Sequence, residues 1–202
     1  MKLYAKPGAC SLADHIVLRW SELPFELELL DAASMKAPAY LTINPAGAVP
    51  ALQADDWVLT QNSAILNYIA DSAPAARLAG DGSARSRAEV QRWLAFVNAD
   101  VHPAFHPLFG STRYLEDAAV IARTQEHARE RLRTLYARVD AQLATQPWLA
   151  GAQRSIADAY LFVTLRWARA LKIELGANLQ RFFERMAADP QVQAALQAEG
   201  LQ

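Results

Sequence analysis

The sequence predicts a small α/β unit followed by an all-helical unit. Three observations carry that prediction. Short runs with period-2 alternation are confined to the first third of the chain. From Ala84 onward apolar residues recur at helical spacing. Between the two lie Pro74 and the run Gly80-Asp81-Gly82-Ser83, which has the composition of a linker. The 202 residues suffice for one large domain or two small ones, and the boundaries fall at 1–76 and 84–202.

Lys2 to Ala5 opens the chain as a short strand. Pro7 and Gly8 turn it, and Ser11 to Ser21 sets Leu12, Ile16 and Leu18 with Trp20 for a helix packed on one face. Phe25-Glu26-Leu27-Glu28-Leu29 alternates as a strand. An irregular or short helical connection leads to Asn44-Pro45. Val49 to Gln53 is a strand headed by Pro50, where a missing N–H does least harm. Asp55-Asp56 supplies a turn and Trp57-Val58-Leu59 a last strand. Thr60-Gln61-Asn62-Ser63 then caps a helix running to about Ala73.

The second unit reads as successive helices. Arg85 to about Val101 carries Val90, Trp93, Leu94 and Val97 on one stripe. Glu116 to Ala144 repeats Leu132, Leu135, Val139 and Leu143. Ser155 to Leu171 follows, then Leu175 to Ala187 and Pro190 to Glu199. Ser155 and Asp158 have the spacing of a reciprocal helix cap, with Asp in place of the commoner Glu. Their role is structural. The residues after them, Ala159-Tyr160-Leu161-Phe162-Val163, are apolar nearly all round, which places this helix inside a domain.

The bulk numbers narrow the function. A 52% apolar, 20% charged composition is that of a soluble globular chain. Twenty Lys+Arg against 21 Asp+Glu leave a net charge of −1, which argues against a nucleic-acid partner. One cysteine excludes an intramolecular disulfide and a cysteine-cluster zinc site. His102 and His106 share a helix face, but no third ligand at helical spacing accompanies them, so no metal is expected. Lys6, Pro7 and Gly8 interrupt the N-terminus too early for a signal peptide. No apolar span reaches the ~18 residues of a membrane helix. The expected compartment is the cytoplasm, with no membrane partner.

Two runs carry chemistry. Cys10 stands at a helix start, where unpaired N–H groups and the helix dipole favour a thiolate. Residue 13 is alanine, so a redox role for Cys10 needs a second thiol from outside. The opposing interpretation is an inert buried cysteine. In Val49-Pro50 the peptide bond is either trans at a sheet edge or cis. A cis bond would turn the Val49 backbone outward and leave its N–H and C=O free for an extended, peptide-like ligand. Composition leaves both open.

Five fragments, taken in order and at their separations, point to a family. They are Lys6-Pro7-Gly8-Ala9-Cys10-Ser11, Asn44-Pro45 with Gly47 and Val49-Pro50, Leu59-Thr60-Gln61 before a helix, His102 late in a long helix, and Ser155-Ile156-Ala157-Asp158-Ala159-Tyr160. Over essentially its whole length the chain resembles bacterial beta-class glutathione S-transferases. The resemblance implies a thioredoxin-like N-terminal domain binding glutathione as co-substrate. It implies an all-helical C-terminal domain lining a hydrophobic site for a small electrophile, and a homodimer. By motif, Cys10 lies beside the glutathione sulfur, with Ser11 and His102 as further catalytic groups. Val49, before Pro50, pairs with the cysteinyl part. Gln61, Asn62 and Ser63 hold the γ-glutamyl end, and Lys36 matches loosely a lysine near the glycyl carboxylate. Ala95 and Ala99 are small enough for close approach across a dimer axis or to expose backbone to glutathione, and Asp100 reaches toward a neighbouring chain. Phe105, His106, Phe109 and Trp167 are walls of the electrophile pocket.

Two departures bear on activity. Relatives often carry tyrosine where this chain has Ala5, and Tyr4 faces the other side of the strand, so it cannot substitute. Gln61 replaces the glutamate of close relatives, and a neutral amide makes the weaker bond to an ammonium. Conjugation is therefore weighed against two alternatives: glutathione-dependent thiol–disulfide exchange through Cys10, and noncatalytic binding of glutathione or hydrophobic ligands.

Overall fold

A computed structural model describes residues 1–201. Strands β1 (Lys2–Ala5), β2 (Glu26–Leu29), β3 (Ala51–Ala54) and β4 (Trp57–Thr60) form one sheet in the order β2-β1-β3-β4. β1 runs parallel to β2, a pairing that needs a crossover, and α1 (Ser11–Ser21) supplies it. The β3-β4 pair is antiparallel and needs only the Asp55-Asp56 turn. Period 2 separates the β1 side chains as expected. Ala5 joins the main core, whereas Tyr4 packs with Tyr40 on the other face and donates to Gln53 Oε1 at 3.0 Å.

α1 departs from the one-faced helix of the sequence pattern. It is buried nearly all round, Asp14 and His15 included. The reason is its place between α3 (Asn62–Ser72) on one side and α7 (Ile156–Ala170) and α9 (Pro190–Ala198) on the other. The connection after β2 holds the short helix α2 (Pro38–Ile43). α3 was expected to carry a side-chain cap. Gln61 at its N-cap instead has φ 73° and makes no capping hydrogen bond.

The helical part begins with α4 (Ala84–Phe96), capped by the Ser83 side chain, which accepts from Ser86 N. A π-helical turn, Val97–Val101, continues it into the one-turn α5 (His102–Ala104). Pro103 explains the widening. It cannot donate to the carbonyl four residues back, and its ring crowds that position, while His102 N–H reaches Val97 O five residues back. Such turns often mark functional sites. α6 (Ala118–Thr145), α7 and α8 (Ala177–Ala187) follow, with α7 at the centre. Its start is tied as the Ser155–Asp158 spacing suggests: Asp158 accepts from Ser155 N and Oγ, both at 2.8 Å, and from Leu149 N at 2.9 Å.

The two parts are joined around the loop before Cys10. Glu199, fully buried after α9, accepts from Gly8 N at 3.1 Å and meets His15 Nδ1 at 3.0 Å. Trp167 Nε1 on α7 donates to Gly8 O at 2.8 Å. The loop is thus held from both sides by the helical part. No helix among the described residues is long and apolar enough to cross a membrane.

Candidate functional site

A cavity of about 310 Å³ opens between the sheet and the helices. Cys10, Val49, Pro50, Gln61 and Asn62 line one wall, and Asn98, His102, His106 and Tyr160 the other. A roomier surface groove of about 520 Å³ runs between α4 and the loop after α6, but contains neither cysteine nor histidine. The chemistry lies in the smaller cavity.

On the sheet side, the Val49-Pro50 bond is cis and the Cys10 sulfur donates to Val49 O at 3.7 Å. Gln61 is exposed at the start of α3, in a backbone region that non-glycine residues seldom occupy. Such outliers cluster where ligands bind. Beneath it Asn62 is buried, and with its amide turned to match its neighbours it donates to Cys10 O at 3.2 Å and Asp14 Oδ2 at 2.6 Å. Asp14 Oδ1 has no partner among the described residues, so this carboxyl is costly to ionise, and burial raises its pKa well above the usual range.

Packing around the start of α1 weighs against a Cys10 thiolate. Burial first, and nearby Asp14 second, push the Cys10 thiol up to about 12. The N–H groups of Cys10 and Ser11 pull it down, as the helix start promised, but desolvation outweighs them. Ser11 is fully buried, and its hydroxyl accepts from Lys6 N at 3.1 Å and donates toward Lys6 O at 3.4 Å. That hydroxyl ties the loop and is not free to meet a bound sulfur.

On the helical side, His102 Nδ1 lies 2.5 Å from the Tyr160 hydroxyl, which also approaches Asn98 Oδ1 at 3.4 Å. Burial, then the neighbouring His106, lower the His102 pKa to about 4, so the ring is neutral at pH 7. Trp167 stacks at a tilt on His102 with centroids 4.8 Å apart, and Phe105 and Phe109 continue the cluster. Phe105 is fully buried and supports this cluster from behind, whereas Phe109 is 49% exposed.

Of the sequence-derived candidates, the structure brings together Cys10, Val49, Pro50, Gln61, Asn62, His102 and His106. Lys36 is exposed and donates to Gly47 O at 3.0 Å, beside the cavity rather than lining it. Ser63, Ala95, Ala99, Phe105, Phe109 and Trp167 are not among its lining residues. Ala95 and Ala99 sit exposed on α4 and the π turn, and Asp100 lies 3.8 Å from Arg131. Sequence reasoning missed Tyr160, Asn98 and Asp14. Tyr160 was in view within the capping motif, and Asn98 stands one helical turn before His102.

Two family models match the chain: the glutathione S-transferase N-terminal domain over residues 1–71 and the C-terminal domain over residues 96–190. The chain is 67% identical to glutathione S-transferase GST-4.5 of Xanthomonas campestris pv. campestris, covering 100% of both. A solved glutathione S-transferase from Xylella fastidiosa is 63% identical with a TM-score of 0.97, over 100% of this chain and 99% of that one. A sphingomonad glutathione S-transferase in complex with glutathione is 41% identical with a TM-score of 0.88, over 100% of both chains.

Proposed function

Because the chain belongs to the glutathione S-transferase family, we propose that its cavity binds glutathione and delivers the thiolate of that tripeptide to a small hydrophobic electrophile. The observation that carries this is the pairing of walls. Main-chain groups at Val49 and the strained Gln61 at the start of α3 face the neutral imidazole of His102 across about 310 Å³.

In this reading the Val49 backbone pairs with the cysteinyl part of glutathione, and Gln61 with the start of α3 holds the γ-glutamyl end. The sulfur lies between the first turn of α1 and His102. N–H groups at a helix start favour an anion, and His102 adds a hydrogen bond without adding charge. The ligand thiol gives its proton to solvent. Its sulfur then attacks the electrophilic carbon, a carbon–sulfur bond forms, and the halide or other leaving group departs with the bonding electrons. The aromatic cluster of Trp167 and Phe109 supports an apolar or aromatic electrophile. Residues 1–76 and 84–202 divide the work between glutathione and electrophile. A homodimer, with the exposed Ala95-Ala99 face near its axis, completes the assembly, and the reducing cytoplasm supplies glutathione.

The raised Cys10 pKa favours conjugation over thiol–disulfide exchange, since an exchanger needs its own thiolate. Conjugation of glutathione to a chlorinated nitroaromatic, followed optically, tests the activity. Amide-shift mapping with glutathione tests the site: shifts are expected around Val49 and Gln61, and shifts confined to residues 85–201 would reject it.

A further inference from the structure

We propose that Tyr160 is a positioning residue that fixes which nitrogen of His102 carries the proton, so that the imidazole turns an N–H at Nε2 toward the sulfur of bound glutathione. The inference rests on the cavity being the glutathione site, and adds a residue and a role to it. The Tyr160 hydroxyl lies 2.5 Å from His102 Nδ1, within hydrogen-bond distance. A phenol has one proton to give. Asn98 Oδ1 is at 3.4 Å, too far to compete for that proton, and a hydrogen bond from the Asn62 side chain offsets part of the burial that raises the Tyr160 pKa. If the amide of Asn98 is turned over, its NH₂ faces the phenol oxygen instead.

The neutral imidazole then has no choice of tautomer. With Nδ1 accepting, its proton sits on Nε2, an atom with no protein partner among the described residues. The reverse tautomer would aim a lone pair at a sulfur anion. Packing holds the arrangement. Tyr160 is fully buried on α7, and its ring meets His102 edge-on at 5.9 Å while Trp167 covers another side at 4.8 Å. The other titratable groups facing this pair are His106 beside His102, and Cys10 and Asp14 across the cavity on α1. They act in one direction. His106 discourages protonation of His102, and burial with Cys10 and Asp14 raises the Tyr160 pKa, so the phenol keeps its proton.

The test uses the full chain labelled with ¹⁵N-histidine, with His102→Gln to assign the signal. Free wild type is expected to show His102 as the Nε2–H tautomer alone, and Tyr160→Phe a mixture of both. A His102 protonated on Nδ1 in the wild type would overturn the proposal with no variant needed, even if Tyr160→Phe failed to fold. With glutathione bound, Tyr160→Phe is expected to shift the thiolate absorbance titration upward and lower kcat about three- to tenfold, the worth of one hydrogen bond, with KM for glutathione within about twofold. An unchanged tautomer and titration would reject the role. Failure of the wild type to bind glutathione would reject the site instead, because the tautomer is read in the free protein.

Discussion

The sheet wall of the cavity is built at the ends of elements, around Cys10, Val49 and Gln61, whereas the helical wall is drawn from residues 98 to 160. Burial drives Cys10 on one wall and His102 on the other in opposite directions. The Cys10 thiol is pushed up to about 12 and the His102 imidazole down to about 4. Both shifts end in a neutral group at pH 7. With Cys10 and His102 both neutral, the proposal leaves the developing charge to the ligand, close to the N–H groups at the start of α1. The comparison shows why a cysteine at a helix start need not be a thiolate: the dipole acts locally, and desolvation is set by everything packed around it.

Separating the walls gives the largest expected effect. Glu199→Ala removes the acceptor of the half-buried Gly8 N and the partner of the fully buried His15. Leaving such groups unmatched costs roughly 1–3 kcal/mol each, so a loss of about 2–5 kcal/mol is expected in denaturant unfolding. A change under about 0.5 kcal/mol would mean that the loop before Cys10 is not held by this contact.

A smaller change sharpens the role of the sheet wall. Gln61→Glu restores a charge opposite the proposed γ-glutamyl ammonium, and charge-assisted bonds are about twice as strong as neutral ones. A several-fold lower KM for glutathione is expected, with kcat little changed. An unchanged KM would place the ammonium elsewhere. Tyr4→Phe should have the smallest effect. Its hydroxyl reaches only Gln53 on the far face of the sheet, so stability should fall by about 1 kcal/mol or less and conjugation should hold. A marked loss of activity would break the separation of sheet faces.

The walls differ in how far they were legible in the sequence. Turn chemistry marks the sheet wall: Pro7-Gly8 before Cys10, Asn44-Pro45 before Val49-Pro50, and a helix start after Thr60. These are local signals, and element order followed from them, with boundaries displaced by one or two residues. The helical wall depends on contacts across 58 residues between His102 and Tyr160, which no local pattern encodes. Tyr160 lies one turn beyond the Ser155–Asp158 cap, and its hydroxyl chemistry was hidden in an apolar run. The surroundings of Cys10 and Ser11 are hidden from the sequence for the same reason. Helix position is local, whereas Cys10 is shaped by burial beside Asp14 and Ser11 by its hydrogen bonds to Lys6.

The central claim is that the thiolate in this site belongs to glutathione and not to Cys10. Thiolate ultraviolet absorbance against pH, recorded on wild type and Cys10→Ala with and without glutathione, tests it most directly. The account predicts no thiolate signal from the free wild type below about pH 10, given the thiol at about 12, and a glutathione-dependent signal near neutral pH that survives in Cys10→Ala. A signal near pH 7 in the free protein that disappears in Cys10→Ala would contradict it.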